Sequence, residues 1–164
     1  ADLYGQHLML TPFAGALKAR LDFASDFKYT HRLTGFIGNL VIDDKNKIYH
    51  AGDITLDVAT RRDSTYAVVN CGDFQLHLEG HGYYDRLLSE SQHFMKELQR
   101  QLKNRKINQV MLRKRLPNAR LFLRSGKENF FVHMLNRYGY QFARANVDMY
   151  SSPILGLNGN LQID

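Results

Sequence analysis

Cysteine is nearly absent: Cys71 stands alone in 164 residues. That excludes an internal disulfide framework and a cysteine-based zinc site. Cys71 closes the strand-like run Ala67-Val68-Val69-Asn70-Cys71, a context that suits a buried, inert thiol. Long apolar runs are missing too, since nothing approaches the roughly 18 consecutive apolar residues a membrane-spanning helix needs. There is no Gly-x-Ser-x-Gly elbow and no glycine-rich strand-to-helix turn to cradle a phosphate. Carboxylates are spread singly along strands and turns, and Asp43-Asp44 reads most simply as part of a turn.

What is present fits one domain with a core, at 44% apolar and 23% charged residues. The opening Ala1-Asp2-Leu3-Tyr4-Gly5 has neither the basic head nor the apolar run of a signal peptide. The start without Met, and an alternation that runs up to Asp164, lead to the expectation that residues 1–164 are a section of something longer. Charge is unevenly placed. Between Lys96 and Lys127 lie eleven Lys or Arg and one acid, Glu97, a net of +10, whereas the whole chain carries +6. The remainder therefore sums to −4.

Residues 1–81 read as a β meander. After a short apolar lead-in at Leu8 to Pro12, Leu17, Ala19, Leu21 and Phe23 alternate with Lys18, Arg20 and Asp22, the period of two of a half-buried strand. Leu33 to Ile42 is nearly continuously apolar with Gly35 and Gly38 interrupting it, a pattern of a strand either covered on both faces or bulged at the glycines. A polar turn over residues 43–47 leads to Ile54, Leu56 and Val58, then to a strand at 65–71, and then to Phe74, Leu76 and Leu78 opposite Gln75, His77 and Glu79.

The period then changes. Tyr84, Leu87, Leu88, Phe94, Met95, Leu98 and Leu102 form one stripe of an amphipathic helix. Cations collect at its carbonyl end, and Asn104 is suited to a left-handed exit. A second short helix is expected over Ile107 to Arg115, stopped by Pro117. The two make a helical insertion at about 82–117, expected to lie across one side of the sheet through Leu87, Phe94, Leu98 and Leu102. Residues 118–164 read as strand, helix, strand, strand. In that part Ser125 and Glu128 match a capping box, the helix covers about 127–138, and Gly139 ends it. The fold class is α+β, mostly an antiparallel curved β-sheet of long strands with these helices added.

Two constellations could carry function. His77, Glu79 and His81 share one face of a strand, and two His with a carboxylate is a legitimate ligand set for zinc or iron. The same positions form the solvent face opposite Phe74, Leu76 and Leu78, which accounts for their polarity without a metal. The basic stretch is the other candidate. Arg100, Lys103, Arg105, Lys106, Arg113, Lys114 and Arg115 suit an anionic partner, either nucleic acid or lipid head groups. Phe122 is the lone aromatic among these cations, so no platform for stacking bases exists and nucleic acid is disfavoured.

Several stretches carry a resemblance. They are Tyr84-Asp85-Arg86-Leu87-Leu88, Phe94-Met95-Lys96-Glu97-Leu98 with Gln101, Leu112 through Asn118, Ser125-Gly126-Lys127-Glu128-Asn129, Tyr138-Gly139-Tyr140, and Ser152-Pro153 with Gly156-Leu157-Asn158-Gly159. Together they resemble an internal section of the TamB-like translocation and assembly proteins in the form found in Bacteroidetes, related to the AsmA-like envelope proteins. The resemblance covers mainly residues 82–160 and rests on helix, capping and turn signatures. It implies a long, non-enzymatic protein anchored in the inner membrane and crossing the periplasm, built of sheet curled into an apolar groove. It further implies a role in outer-membrane protein assembly or lipid movement between membranes, with lipid or assembly proteins as partners. It supplies no catalytic residues and no cofactor. A section cut from such a sheet is expected to associate through its edges.

Overall fold

A period-two pattern can bury one side of a strand only if neighbouring strands align their apolar residues, and the hydrogen-bonded register does this almost throughout. The computed structural model describes residues 14–44, 47–50, 52–137, 139–141 and 143–164. The lead-in at Leu8 to Pro12 and residues 45–46 lie outside them, and Asp43, Asp44 and Lys47, expected in a turn, are strand residues. Six strands come first: β1 Ala14–Ser25, β2 His31–Asp44, β3 Lys47–His50, β4 Ile54–Thr60, β5 Ser64–Cys71 and β6 Phe74–His81. Helices α1 Tyr84–Lys103 and α2 Gln109–Lys114 follow, then β7 Ala119–Ser125, α3 Phe130–Arg137, β8 Ala145–Ser152 and β9 Gly156–Ile163.

All nine strands belong to one open antiparallel sheet ordered β1-β2-β4-β5-β6-β7-β8-β9, with β3 paired to β2. The first half of β2 pairs with β4 and its end with β3, so β2 is the longest strand because it spans two short partners. The β3 segment is too brief for periodicity to announce. Of the two glycines only Gly38 borders an irregularity, while Gly35 pairs in regular register with Leu21 and Leu56. Pairing of β1 with β2 slips between Ala16/Val41 and Lys18/Gly38, and Asn39, in the slipped stretch, has φ of 53°.

Turns are closed by local chemistry. Asp26 accepts backbone N–H bonds from Lys28, Tyr29 and Thr30 at 2.8, 3.0 and 2.8 Å in the β1–β2 turn. These donors, Thr30 and Lys28 foremost, hold its carboxyl down at about 2.

The helices attach at opposite ends of the strands. No local side chain caps α1. Its Tyr84 N–H instead donates to Thr60 Oγ1 at 3.1 Å, and Thr65 Oγ1 donates to the Gly82 carbonyl at 2.9 Å. Leu87 sits where a Cβ on Gly80 would be, so the missing side chain of that strand residue makes room for the helix. At the other end, α3 covers a small core of Leu40, Ile54 and Cys71, packed with Phe74, Phe130 and Phe131.

The cap of α3 differs from the expected box. Asn129, fully buried, accepts from the Val132 N–H at 2.9 Å, and its amide donates to Asp73 at 2.7 Å and to Ser125 Oγ at 3.0 Å. Ser125 thus supports the cap from one turn earlier. Asp73, in the β5–β6 turn, also accepts from the Glu128 N–H at 2.9 Å and ties the helix to a strand pair more than fifty residues away.

The exit of α1 differs as well: Asn104 keeps φ of −82°, and Arg105 takes the left-handed φ of 52°. Its N–H reaches the Leu102 carbonyl at 3.0 Å, and the Lys106 N–H reaches the Gln101 carbonyl at 3.1 Å. Nor does α1 lie across the sheet along its length. Leu102 is 58% exposed and Leu88 and Met95 are exposed, Phe94 and Leu98 are half-buried, and Leu87 is the residue seated on a strand.

Among the described residues no further strand pairs with the outer edge of β1 or of β9. Small-angle scattering is expected to show concentration-dependent association of the isolated chain, reduced when Leu157 and Leu161 of β9 are both replaced by Lys. A concentration-independent monomer would contradict it. Filling Gly80 is a second test. Gly80→Val is expected to destabilise by about 1–3 kcal/mol in urea unfolding, with part of the loss recovered by adding Leu87→Ala.

Candidate functional site

The pairing register collects the apolar alternates of every strand but β3 onto one face. Across β1, β2 and β4 the aligned residues are Phe23, Leu33 and Val58, with Leu21, Gly35 and Leu56 one step along. The rows continue as Ala67, Leu78, Leu121 and Met149, and as Val69, Leu76, Leu123 and Val147. They finish on β9 at Gly159 and Leu161. No charged residue interrupts either row.

This face is only partly covered. Its central side chains, Leu56, Val58, Val69, Leu76, Leu78, Leu121 and Leu123, are half-buried. At the two margins Phe23 is 66% exposed and Leu161 65%. α1 stands over the face at Gly80 and α3 at Phe74, so the two helices wall a lane that runs across the strands. Six residues separate those positions on β6, which at strand rise makes the lane about 20 Å wide. At the α1 wall it deepens into a cavity of about 450 Å³ lined by Phe23, His31, Leu33, Val58, Thr60, Thr65 and Tyr84. An aromatic group borders it: Tyr83 lies 4.6 Å from Tyr84 and 5.9 Å from His31, ring centre to ring centre.

The opposite face is polar and cross-linked by charge. Arg32 donates twice to Asp57, at 3.0 and 2.8 Å, and Tyr66 OH approaches the same carboxylate at 3.3 Å. Arg32 holds the Asp57 carboxyl below the usual carboxylate range, mainly through its hydrogen bonds. Arg120 pairs with Asp148 at 3.3 Å. His77 Nε2 lies 3.1 Å from Glu79 Oε1, an exposed surface pair. Among the described residues, however, no group of three His, Cys, Asp or Glu is placed to hold a metal ion.

The basic stretch divides. Arg120 and Arg124 belong to β7 and alternate onto the polar face of the sheet. Lys127 lies between β7 and α3, and the remaining cations stay on or beside the α1–α2 hairpin, where buried polar side chains join the two helices. Gln101, 3% exposed, donates to Glu97 Oε1 at 2.7 Å and accepts the Asn108 N–H at 2.6 Å. Arg100 holds Glu97 from the other side at 3.1 Å, and Asn108 caps α2 by accepting from Met111 N–H at 3.0 Å. Arg113 donates to the Pro153 carbonyl at 3.2 Å. Lys103, Arg105, Lys106, Lys114 and Arg115 are exposed, and none forms an ion pair among the described residues.

Periodicity signals each strand's apolar side but not the lane, which exists only once register and helix placement are known. The turn residues Ile154 and Leu155 are exposed as well. Their one signal is an apolar pair directly after Pro153, where a turn is expected to be polar. Comparison with protein-family models, with curated proteins and with solved structures finds no match to this chain.

Glu97 provides a pH test of the hairpin. Hydrogen bonds from Arg100, then Gln101, hold its carboxyl at about 2, below the ordinary 4.5. A depressed acid stabilises the folded state above its ordinary pKa and loses that contribution as pH falls toward the folded value. Helicity followed by circular dichroism is therefore expected to fall between 4.5 and about 2. In Glu97→Gln that component of the acid transition should vanish.

Proposed function

We propose that the chain is a non-enzymatic section of a periplasm-spanning TamB-like or AsmA-like envelope protein, serving outer-membrane protein assembly or lipid transfer between membranes. The observation that carries this reading is the lane: apolar rows eight strands wide, left open between two helices. Acyl chains are held by non-directional burial, which asks for contiguous apolar surface and no convergent polar groups. A closed enzyme core would instead bury these side chains completely.

In this reading β1 and β9 pair with neighbouring sections of a longer chain, so that the lane runs on from one section to the next. The sheet curves about the lane, with the insertion at 82–117 and the short helix α3 as its walls. The inner-membrane anchor belongs to another part of the parent protein. The partners are lipid and outer-membrane assembly proteins, nucleic acid has no role, and no cofactor is required.

Protein purified without detergent is expected to carry phospholipid or fatty acid detectable by mass spectrometry, and to take up a fluorescent fatty acid. Val69→Asn with Leu123→Asn should weaken that uptake by about tenfold while leaving the strand signal in circular dichroism intact. Wild-type protein that neither carries nor takes up lipid would sink the proposal.

A further inference from the structure

We infer a second surface, separate from the lane: the bend of the α1–α2 hairpin and the β8–β9 turn together dock on an anionic bilayer. The Arg113–Pro153 hydrogen bond joins these two segments, forty residues apart, into one surface. Apolar side chains on both segments are exposed. Val110 is 65% exposed and Ile154 75%, and Ile107, Met111 and Leu155 are exposed beside them. The hairpin segment is also strongly basic: residues 102–115 contain six Lys or Arg and no acid.

Each half of this arrangement restricts the partner. Clustered Lys and Arg are drawn to phosphate, whether of nucleic acid or of lipid. Exposed aliphatic tips at a hairpin bend and a turn gain nothing from a phosphate backbone, and residues 102–115 contain no aromatic to stack on a base. At a bilayer both halves are satisfied together. Aliphatic tips enter the boundary between head groups and acyl chains, while long cationic side chains remain at the phosphates. Arg100, held by Glu97, and Arg120 and Arg124, on the polar face of the sheet, take no part.

The test is co-sedimentation of the whole chain with phosphatidylcholine vesicles containing about 30% phosphatidylglycerol, against pure phosphatidylcholine. Binding is expected to the anionic vesicles alone. Lys106→Glu with Lys114→Glu should weaken it by at least tenfold, as the loss of two phosphate-seeking charges implies. Val110→Asn with Ile154→Asn, at sites too exposed to disturb folding, should weaken it several-fold. The Val69→Asn, Leu123→Asn variant should bind as the unmodified chain does, which keeps a failure here distinct from a failure of the lane. No vesicle binding, equal binding to neutral vesicles, or indifference to the Val110 and Ile154 changes would each overturn the inference. So would duplex DNA binding that persists where vesicle binding is absent.

Discussion

Main-chain hydrogen bonding between antiparallel strands is the interaction on which everything else here depends. The ladder is continuous from β1 to β9. Buried apolar side chains are few among the described residues, chiefly Leu40, Ile54, Ala59, Cys71, Leu116, Val132 and Ala145. Most domains of this length are organised the other way, around a core that the secondary structure encloses. Here the sheet comes first and the core is a local patch beneath α3. An open sheet satisfies its interior backbone groups but leaves two edges and one apolar face to be dealt with.

The helices deal with the ends of that face rather than its middle. Both are held by contacts between residues far apart in the chain: Thr60 and Thr65 fix the start of α1, and Asp73 fixes the start of α3 through Glu128 and Asn129. Such ties position a helix by its N-terminus, where backbone N–H groups lack partners within the helix. They leave its length free to go elsewhere. That freedom explains why α1, with a clear apolar stripe, rests on the sheet at Leu87 while Leu102 stays exposed. Its distal half is organised instead by Gln101 and Glu97, two polar residues buried against α2.

This arrangement keeps three chemical surfaces apart. One face of the sheet is apolar and partly open. The other is laced by ion pairs such as Arg32–Asp57 and Arg120–Asp148, which lie on exposed surface and contribute little stability individually. The hairpin concentrates unpaired cations away from both. A run of charge that is continuous in the sequence from Lys96 to Lys127 is thus divided by the fold, since β7 turns its arginines to the polar face while the hairpin turns its own outward.

Much of the sheet was legible in the residues because a strand's two sides are set by its own alternation, and the pairs Leu76/Leu78 and Leu121/Leu123 could be read without knowing their neighbours. Helical period over 84–102 was legible for the same local reason. The α3 cap was not, because Ser125 and Glu128 satisfy a local pattern while the bonds that form run to Asp73 and Asn129. The bulge at Asn39 and the brief β3 depend on which strand lies alongside. Sequence by itself determined which residues face which way within each element, since alternation and helical period are properties of the local backbone. Tertiary structure alone decided that those faces align into one lane, that α1 touches it at Gly80, and that Pro153 meets Arg113. These are contacts between distant segments, and their energies are set by pairing register rather than by neighbours in the chain.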